Sequence, residues 1–344
     1  MRLLILTQAV DLDDPVLGFF HQWVVQLAKQ CESVRVICLK EGRHTLPANV
    51  SVYSLGKESG VSRVKYILNF YRLIWSMRHE YDGVFVHMNQ EYVLLGGKLW
   101  WLWGKRVVLW RNHKKGSLFT RVAALLSNTV CHTSPEAYVA TYRNAVQMPI
   151  GIDTELFKPP VQAPDTRSIL FFGRLDPVKK CEVFIEALEK LHADGIPFRA
   201  DIVGDPTPGN EKYAHDIRNK AGVLALDGVL TMHPGVPHAE TPALYSSHAI
   251  YVNLTPSGSF DKTIGEAMAA GCTVIAANKA VADHISKQFS ITGDAVSVVA
   301  GLCAALDLSA PEYLHISAKS RAYIQDSHSL ALLTDRLSAL CRAV

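Results

Sequence analysis

From residue 3 onward, short apolar or β-branched runs alternate with longer segments whose apolar positions recur every three or four residues. In the first half the runs at 3–6, 34–39, 83–87, 106–111 and 129–133 predict strands. Between them, 19–31 carries Phe20, Trp23, Val24, Leu27 and Cys31 at helical spacing, and 64–78 repeats the pattern. Strands separated by helices of this length predict right-handed crossovers and a parallel sheet. The pattern breaks at 148–167, where Pro149, Pro159, Pro160 and Pro164 punctuate a polar stretch. A second series follows, with strands at 168–172, 199–203, 229–233, 249–254 and 273–276 and a helix at 181–191. The periodicity thus predicts two doubly wound α/β domains, 1–155 and 156–327. A tail, 328–344, holds a last helical stretch at 330–341 that is expected to cross back to the first domain.

Composition agrees with two cored domains. The 344 residues are 49% apolar, which excludes disorder and a stapled mini-protein, and the formal charge of +3 points to no partner by itself. Residues 1–9 are apolar, but Asp11, Asp13 and Asp14 follow at once, so a buried first strand is expected rather than a signal peptide. The stretch 92–110 is interrupted by Gly96, Gly97, Lys98, Gly104, Lys105 and Arg106, too often for a spanning helix. Seven scattered cysteines without a C-x-x-C or a Cys/His ligand spacing imply buried, reduced thiols and a cytoplasmic setting.

Candidate chemistry gathers in the second series. The strand at 168–172 runs into Gly173-Arg174-Leu175-Asp176-Pro177-Val178-Lys179-Lys180 and then a helix. Cations at a strand's carboxyl end beside a helix N-terminus suit a diphosphate clamp, although a solvated basic turn would look the same. The strand at 249–254 leads into a second loop, in which the small Gly258 and Ser259 let backbone amides approach a phosphate. Phe260, Asp261, Lys262 and Thr263 follow, and Glu266 falls in the first turns of the next helix. A carboxylate there can accept from vicinal ribose hydroxyls.

Together these segments resemble the retaining GT-B glycosyltransferases of family 4, the group 1 glycosyl transferases. Four motifs of that family stand in its order and spacing: F-G-R-L-x-P-x-K-K, D-I-V-G-D at 201–205, His233-Pro234-Gly235-Val236, and the block from Ser257 to Gly271. The resemblance implies an α/β GT-B fold of two Rossmann-like domains facing a cleft, with a nucleotide-sugar donor on the second. Carried over, Gly173, Arg174 and Lys179 hold the diphosphate, the loop from His233 to Val236 contacts the base, and Glu266 holds the ribose. Gly258 departs from the family, which places a glutamate there against the donor sugar; Asp261 or Lys262 would stand in.

The first domain matches less closely. The segment 3–7, then 11–15 and Gly18, resembles the family's first strand and glycine loop, and His87 resembles the strand-end histidine that faces the substrate. Arg111, Asn112 and His113 end the next strand and, with Asp11 and Asp13, are acceptor-side candidates; Ser134 with Glu136 reads as a helix cap. The family mechanism implies transfer with retention, driven by charge at the leaving group, without a metal. Two other readings stay open: a nucleotide-sugar epimerase of the same fold, and a catalytically silent nucleotide-sugar-binding protein prompted by Gly258.

Charge distribution changes the picture last. From Lys57 to Pro135 twelve Lys and Arg face four acids, and all six Trp lie between residues 23 and 110. Helix 64–78 sets Ile67, Leu68, Tyr71 and Trp75 beside Arg63, Lys65, Arg72 and Arg78, the composition of an interfacial helix. Peripheral docking on an anionic membrane, with a lipid-linked or cell-surface acceptor, is one reading. An ordinary helix with a solvated basic edge and core tryptophans is the other. Nucleic acid is not expected, because no binding motif accompanies the charge.

Overall fold

The computed structural model describes residues 1–14, 16–256 and 260–342. Two compact units divide the chain: residues 1–151 with 330–344, and residues 152–329.

The first unit runs β1 (Arg2–Val10), α1 (Phe20–Ala28), β2 (Ser33–Glu41), β3 (Val50–Ser54), α2 (Arg63–Ser76), β4 (Gly83–His87) and α3 (Gln90–Leu102). β5 (Arg106–Trp110), α4 (Leu118–Leu125), β6 (Thr129–His132) and β7 (Ala145–Gln147) complete its consecutive part. Its strands form one parallel sheet in the order β3-β2-β1-β4-β5-β6-β7. β1 is apolar on both faces because both are covered, as buried parallel strands require. Phe20, Trp23, Val24 and Leu27 of α1 pack on one face; Phe70, Ile74, Tyr92 and Trp100 of α2 and α3 pack on the other.

The second unit contains β8 (Ser168–Phe172), α5 (Cys181–Ala193), β9 (Arg199–Val203), α6 (Glu211–Lys220), α7 (Gly222–Leu226), β10 (Leu230–His233) and α8 (Thr241–Ser246). β11 (Ile250–Asn253), α9 (Lys262–Ala269), β12 (Thr273–Ala276), α10 (Ala295–Leu306) and α11 (Ala310–His328) follow. Its parallel sheet has the order β10-β9-β8-β11-β12. α12 (Leu330–Cys341) belongs to the first unit, where Leu330, Leu333, Leu337 and Cys341, one helical stripe, join the α1 side of the core.

Several boundaries differ from expectation for physical reasons. β1 extends to Val10, so Asp11 sits at the strand's end; the first helix stops at Ala28 rather than Cys31. β3 was not expected, because Val50–Ser54 is half-buried throughout and lies at the sheet's edge. α3 was not expected either, since two glycines interrupt its apolar run. Gly96 is where Trp100 lies against the helix, and a Cβ there would stand 2.7 Å from the indole.

Candidate functional site

In an open parallel sheet, ligands bind outside the carboxyl ends of strands where the strand order reverses. In the second unit that point lies between β8 and β11, which are adjacent although consecutive strands diverge from them on either side. The loops leaving these two strands meet there. Lys179 donates from Nζ to Asp261 Oδ2 at 2.6 Å and to Thr255 Oγ1 at 3.0 Å, so one side chain ties the loop after β8 to the loop after β11.

Local geometry aims that lysine. Pro177 to Lys179 form a single 3-10 turn, and Lys180 then takes a left-handed conformation, φ 53°, before α5 begins. That conformation costs a non-glycine residue about 1–2 kcal/mol. It is held by Lys180 N donating to Pro177 O at 3.1 Å and by Nζ donating to Gly293 O at 3.1 Å. Gly173 lies where β9's exit comes closest, for a Cβ on Gly204 would stand 1.9 Å from the Gly173 carbonyl oxygen.

Asp261 has a double role. It is the N-cap of α9, accepting from Thr263 N and from Thr263 Oγ1 at 3.0 Å, while Oδ2 also accepts from Asn253 Nδ2 and Thr255 Oγ1 at 3.1 Å each. Burial alone would raise its carboxyl, but the adjacent Lys179 ammonium and these donors bring it down to about 2. Lys179 has three N–H donors; among the described residues two are used, which leaves one for a ligand. The guanidinium of Arg174 is more than half exposed, 3.5 Å from Asp176. Burial would raise Asp176 as well, yet hydrogen bonds from Thr207 and Asn210 keep it below the usual carboxylate range.

One helical turn along α9, Glu266 is only 3% exposed. Its Oε1 accepts from His238 Nε2 at 3.2 Å and lies 3.6 Å from Lys262 Nζ, and Oε2 accepts from Tyr245 OH at 3.2 Å. Burial and the Glu266 charge push the Tyr245 phenol well above its usual range, so it remains a donor. Burial lowers the Lys262 ammonium, opposed by Glu266 and Asp153. A carboxylate fixed in this way still has lone-pair capacity for hydroxyl donors.

The loop after β10 is tied down by the two acids of D-I-V-G-D. Asp201 holds His233 through Oδ1 and His248 through Oδ2, each at 2.8 Å, and Asp205 accepts from Gly235 N at 3.0 Å. The hydrogen bonds from His248 and His233 lower the Asp201 carboxyl. Val236 sits half-buried in this loop. Phe260 is buried, its ring 5.0 Å from that of His328. Gly258 and Ser259, expected at the donor, lie outside the described residues. Sequence reasoning missed His238, Tyr245, Asn253 and Thr255. Asn253 and Thr255 could have been suspected from their place at a strand's carboxyl end, whereas His238 and Tyr245 meet Glu266 only through tertiary packing.

In the first unit the corresponding reversal lies between β1 and β4. His87, at the end of β4, is 2% exposed, with its ring stacked on Phe20 at 4.0 Å and its Nδ1 3.3 Å from Thr7 Oγ1. Burial lowers its imidazole to about 3, so it is neutral near pH 7. Gly18 is in the turn before α1, donating from N to Asp14 O at 2.9 Å. Asp11 is buried, 3.4 Å from Lys40, whereas Asp13 takes a two-pronged pair from exposed Arg43. The Nε of Arg111 is buried without a partner among the described residues, and His113 Nδ1 accepts from Lys115 N at 2.9 Å. Ser134 accepts from Glu136 N, capping a turn ahead of the 3-10 helix Tyr138–Thr141 rather than an α-helix. Among the described residues no three His, Cys, Asp or Glu side chains gather as a metal site.

Comparison with known proteins places these features. Residues 166–307, the part holding the Lys179 and Glu266 cluster, match the family model for glycosyl transferases group 1. A D-inositol 3-phosphate glycosyltransferase of Segniliparus rotundus is 25% identical over 188 residues, 50% of this chain and 42% of that protein. The corresponding protein of Geodermatophilus obscurus is 28% identical over 177 residues, 46% of this chain and 39% of its own. The chain therefore spans less than half the length of these curated relatives. The crystal structure of Anabaena HepE in complex with UDP is similar over 98% of this chain and 99% of its own, with 16% identity and a TM-score of 0.75. The fold is GT-B, two Rossmann-like units with parallel sheets.

Proposed function

We propose that this protein moves a glycosyl group from a uridine or guanosine diphosphate sugar to an acceptor of a cell-surface polysaccharide or glycolipid, with retention of anomeric configuration. The observation that carries this reading is Lys179, which spans the reversal point between β8 and β11 with one N–H donor to spare among the described residues. The group 1 match over the same residues and the UDP bound by HepE support it.

In this reading the free donor of Lys179 and the exposed Arg174 guanidinium bind the diphosphate, and Glu266 accepts from the ribose hydroxyls. As the bond from the anomeric carbon to the diphosphate oxygen breaks, negative charge grows on that oxygen. Cations fixed beforehand stabilise that charge without reorganising. The same oxygen takes the proton of the acceptor hydroxyl, which bonds to the anomeric carbon on the face the leaving group has left. No enzyme nucleophile and no metal is needed. His87 contributes as a neutral, oriented imidazole, and Arg111 and His113 serve the acceptor side. The protein would work at the cytoplasmic face of a membrane.

The test is nucleotide release from UDP- and GDP-sugars with a lipid-linked saccharide acceptor, followed by NMR of the product's anomeric proton. Release with a retained anomer is expected. Binding of sugar nucleotide without any turnover would establish the silent-binder reading instead, and interconversion of the sugar without transfer would establish the epimerase.

A further inference from the structure

The α2, α3 and α4 helices share one face of the first sheet, and their outer surface is unusual. Trp75 is 54% exposed, Trp101 75% and Leu125 84%, with Leu102, Leu118 and Phe119 also exposed. The three helices are joined into one layer. Trp75 meets Trp103 edge-on at 5.5 Å, Tyr71 OH donates to Leu95 O, and the small Gly97 lets Leu126, just past α4, approach α3. On α2 the exposed apolar positions Val64, Leu68, Tyr71 and Trp75 form a single stripe, flanked by exposed Arg63, Lys65 and Arg72. The tryptophans therefore divide: Trp23, Trp100 and Trp110 are core, while Trp75 and Trp101 face outward.

Charge around this layer is mostly positive, with Glu91, exposed at the start of α3, as the one acid on its three helices. Between residues 63 and 128 eleven Lys and Arg face three acids. Two of those acids are already neutralised, Glu80 by Arg35 at 3.1 Å and Asp82 by Arg2 at 2.6 Å. Two depressions flank Leu125. One, about 550 Å³, is lined by Trp101, Lys105, Arg106 and Asn128; the other, about 810 Å³, is lined by Arg121, Tyr142, Arg143 and Asn144. Arg106 Nε is buried there without a partner among the described residues.

We infer that this layer docks on an anionic lipid bilayer, with Trp75, Trp101 and Leu125 entering the interface and Arg106, Arg121 and Arg143 taking lipid phosphates. It goes beyond the transfer reading, for Trp101, Arg106, Leu125 and Asn128 lie at the amino ends of β5 and β6, the end of the sheet opposite His87, Arg111 and His113, so this face would attach the protein rather than bind the acceptor. Large apolar side chains interleaved with Lys and Arg, whose stems lie along apolar surface while their heads reach out, suit a bilayer boundary. Protein interface cores are depleted of Lys, which this layer carries, and nucleic acid would use its cations and aromatics but not the exposed Leu68, Leu102, Leu118 and Leu125. No single helix among the described residues is long and apolar enough to cross a membrane, so this is attachment at a surface.

The test is co-sedimentation of the full chain with phosphatidylcholine vesicles, with and without about one third phosphatidylglycerol, alongside a Trp101→Glu/Leu125→Glu variant. Each cation near an anionic leaflet adds appreciably to binding, so wild type should partition about tenfold or more in favour of the anionic vesicles. The variant should lose at least tenfold of that binding with an unchanged melting temperature. Equal binding to both vesicle types would overturn the inference. So would an unimpaired variant, equally tight binding of both forms to a soluble polyanion, or a wild-type dimer in solution that the variant abolishes. The thermal response to UDP is read on the same samples. A response without vesicle binding removes the docking face alone, and vesicle binding without a response to UDP or GDP removes the donor reading alone.

Discussion

The two units use positive charge in opposite ways. In the second, Lys179 is nearly buried, 2.6 Å from a carboxylate that is itself held by four residues, at the end of two strands. On α2 to α4 of the first, Arg63, Lys65, Arg72 and Arg121 are exposed, and two of the three nearby acids, Glu80 and Asp82, are paired with Arg35 of β2 and Arg2 of β1. A buried pair acts over a few ångströms and is little screened by salt; an exposed array acts collectively and is screened within a Debye length of about 8 Å at physiological salt. The formal charge of +3 hides both. What separates a clamp from a docking surface is burial and pairing, not the number of cations.

The largest effect expected concerns Lys179. Lys179→Met should lower turnover by about 10²–10³-fold, as loss of one preorganised donor does. It should also destabilise the fold by about 3–5 kcal/mol, because Asp261 is left as an unpaired buried charge. Adding Asp261→Asn should restore much of the stability, read from urea midpoints, but none of the turnover. Recovery of both would mean that Lys179 is purely structural.

Glu266→Ala should come next, weakening UDP or GDP binding by about tenfold or more, the value of a hydrogen bond to a charged acceptor. Calorimetric titration reads it, and an unchanged affinity would remove the ribose assignment.

Acid stability should separate the units by window. The His87 imidazole falls from an ordinary value near 6.5 to about 3 in the native state, so the unfolded chain takes up a proton that the folded chain does not. Its contribution is complete above pH 6.5 and is lost as pH falls toward 3. The Asp261 carboxyl falls from 3.8 to about 2, so its contribution is complete above pH 4 and is lost below it. Urea midpoints of His87→Phe should decline less than wild type between pH 6.5 and 4. Those of Asp261→Asn should start lower at pH 7 and decline less below pH 4. Parallel curves for wild type and either variant would contradict the corresponding burial argument.

The smallest expected effect is also a contrast. Raising salt from about 0.05 to 0.5 M should release the protein from anionic vesicles while changing nucleotide affinity only a few-fold, because Lys179 is nearly buried and acts at short range, so that only the exposed Arg174 is screened. Equal sensitivity in sedimentation and titration would erase the distinction between the two kinds of charge.

The sequence revealed the parallel sheets most clearly, since strands such as Ser168–Phe172 and Thr273–Ala276 are short apolar or β-branched runs that alternate with helical segments. Leu330–Cys341 was legible by its stripe of Leu330, Leu333, Leu337 and Cys341. α3 was not, because its glycines, read as breaks, are close-packing positions for Trp100 and Leu126. In the site, Lys179, Asp261 and Glu266 stood out by residue type and position after strands. Their partners did not, since Tyr245 and His238 reach Glu266 from 21 and 28 residues away through packing that no local pattern encodes. The outward tryptophans were equally hidden, for Trp100 and Trp101 are adjacent in sequence, yet one is core and the other 75% exposed.

The most direct test of this division of labour is a thermal-shift titration with UDP and GDP of wild type, Glu266→Ala and Trp101→Glu/Leu125→Glu. A ligand that binds only the native state at about 100 times its Kd adds about 2.7 kcal/mol of stability. Wild type and the surface variant should therefore gain several degrees with one of the two nucleotides, and Glu266→Ala should gain little. An equal rise in Glu266→Ala, or no rise in wild type with either nucleotide at millimolar concentration, would contradict the assignment of the second unit to the nucleotide.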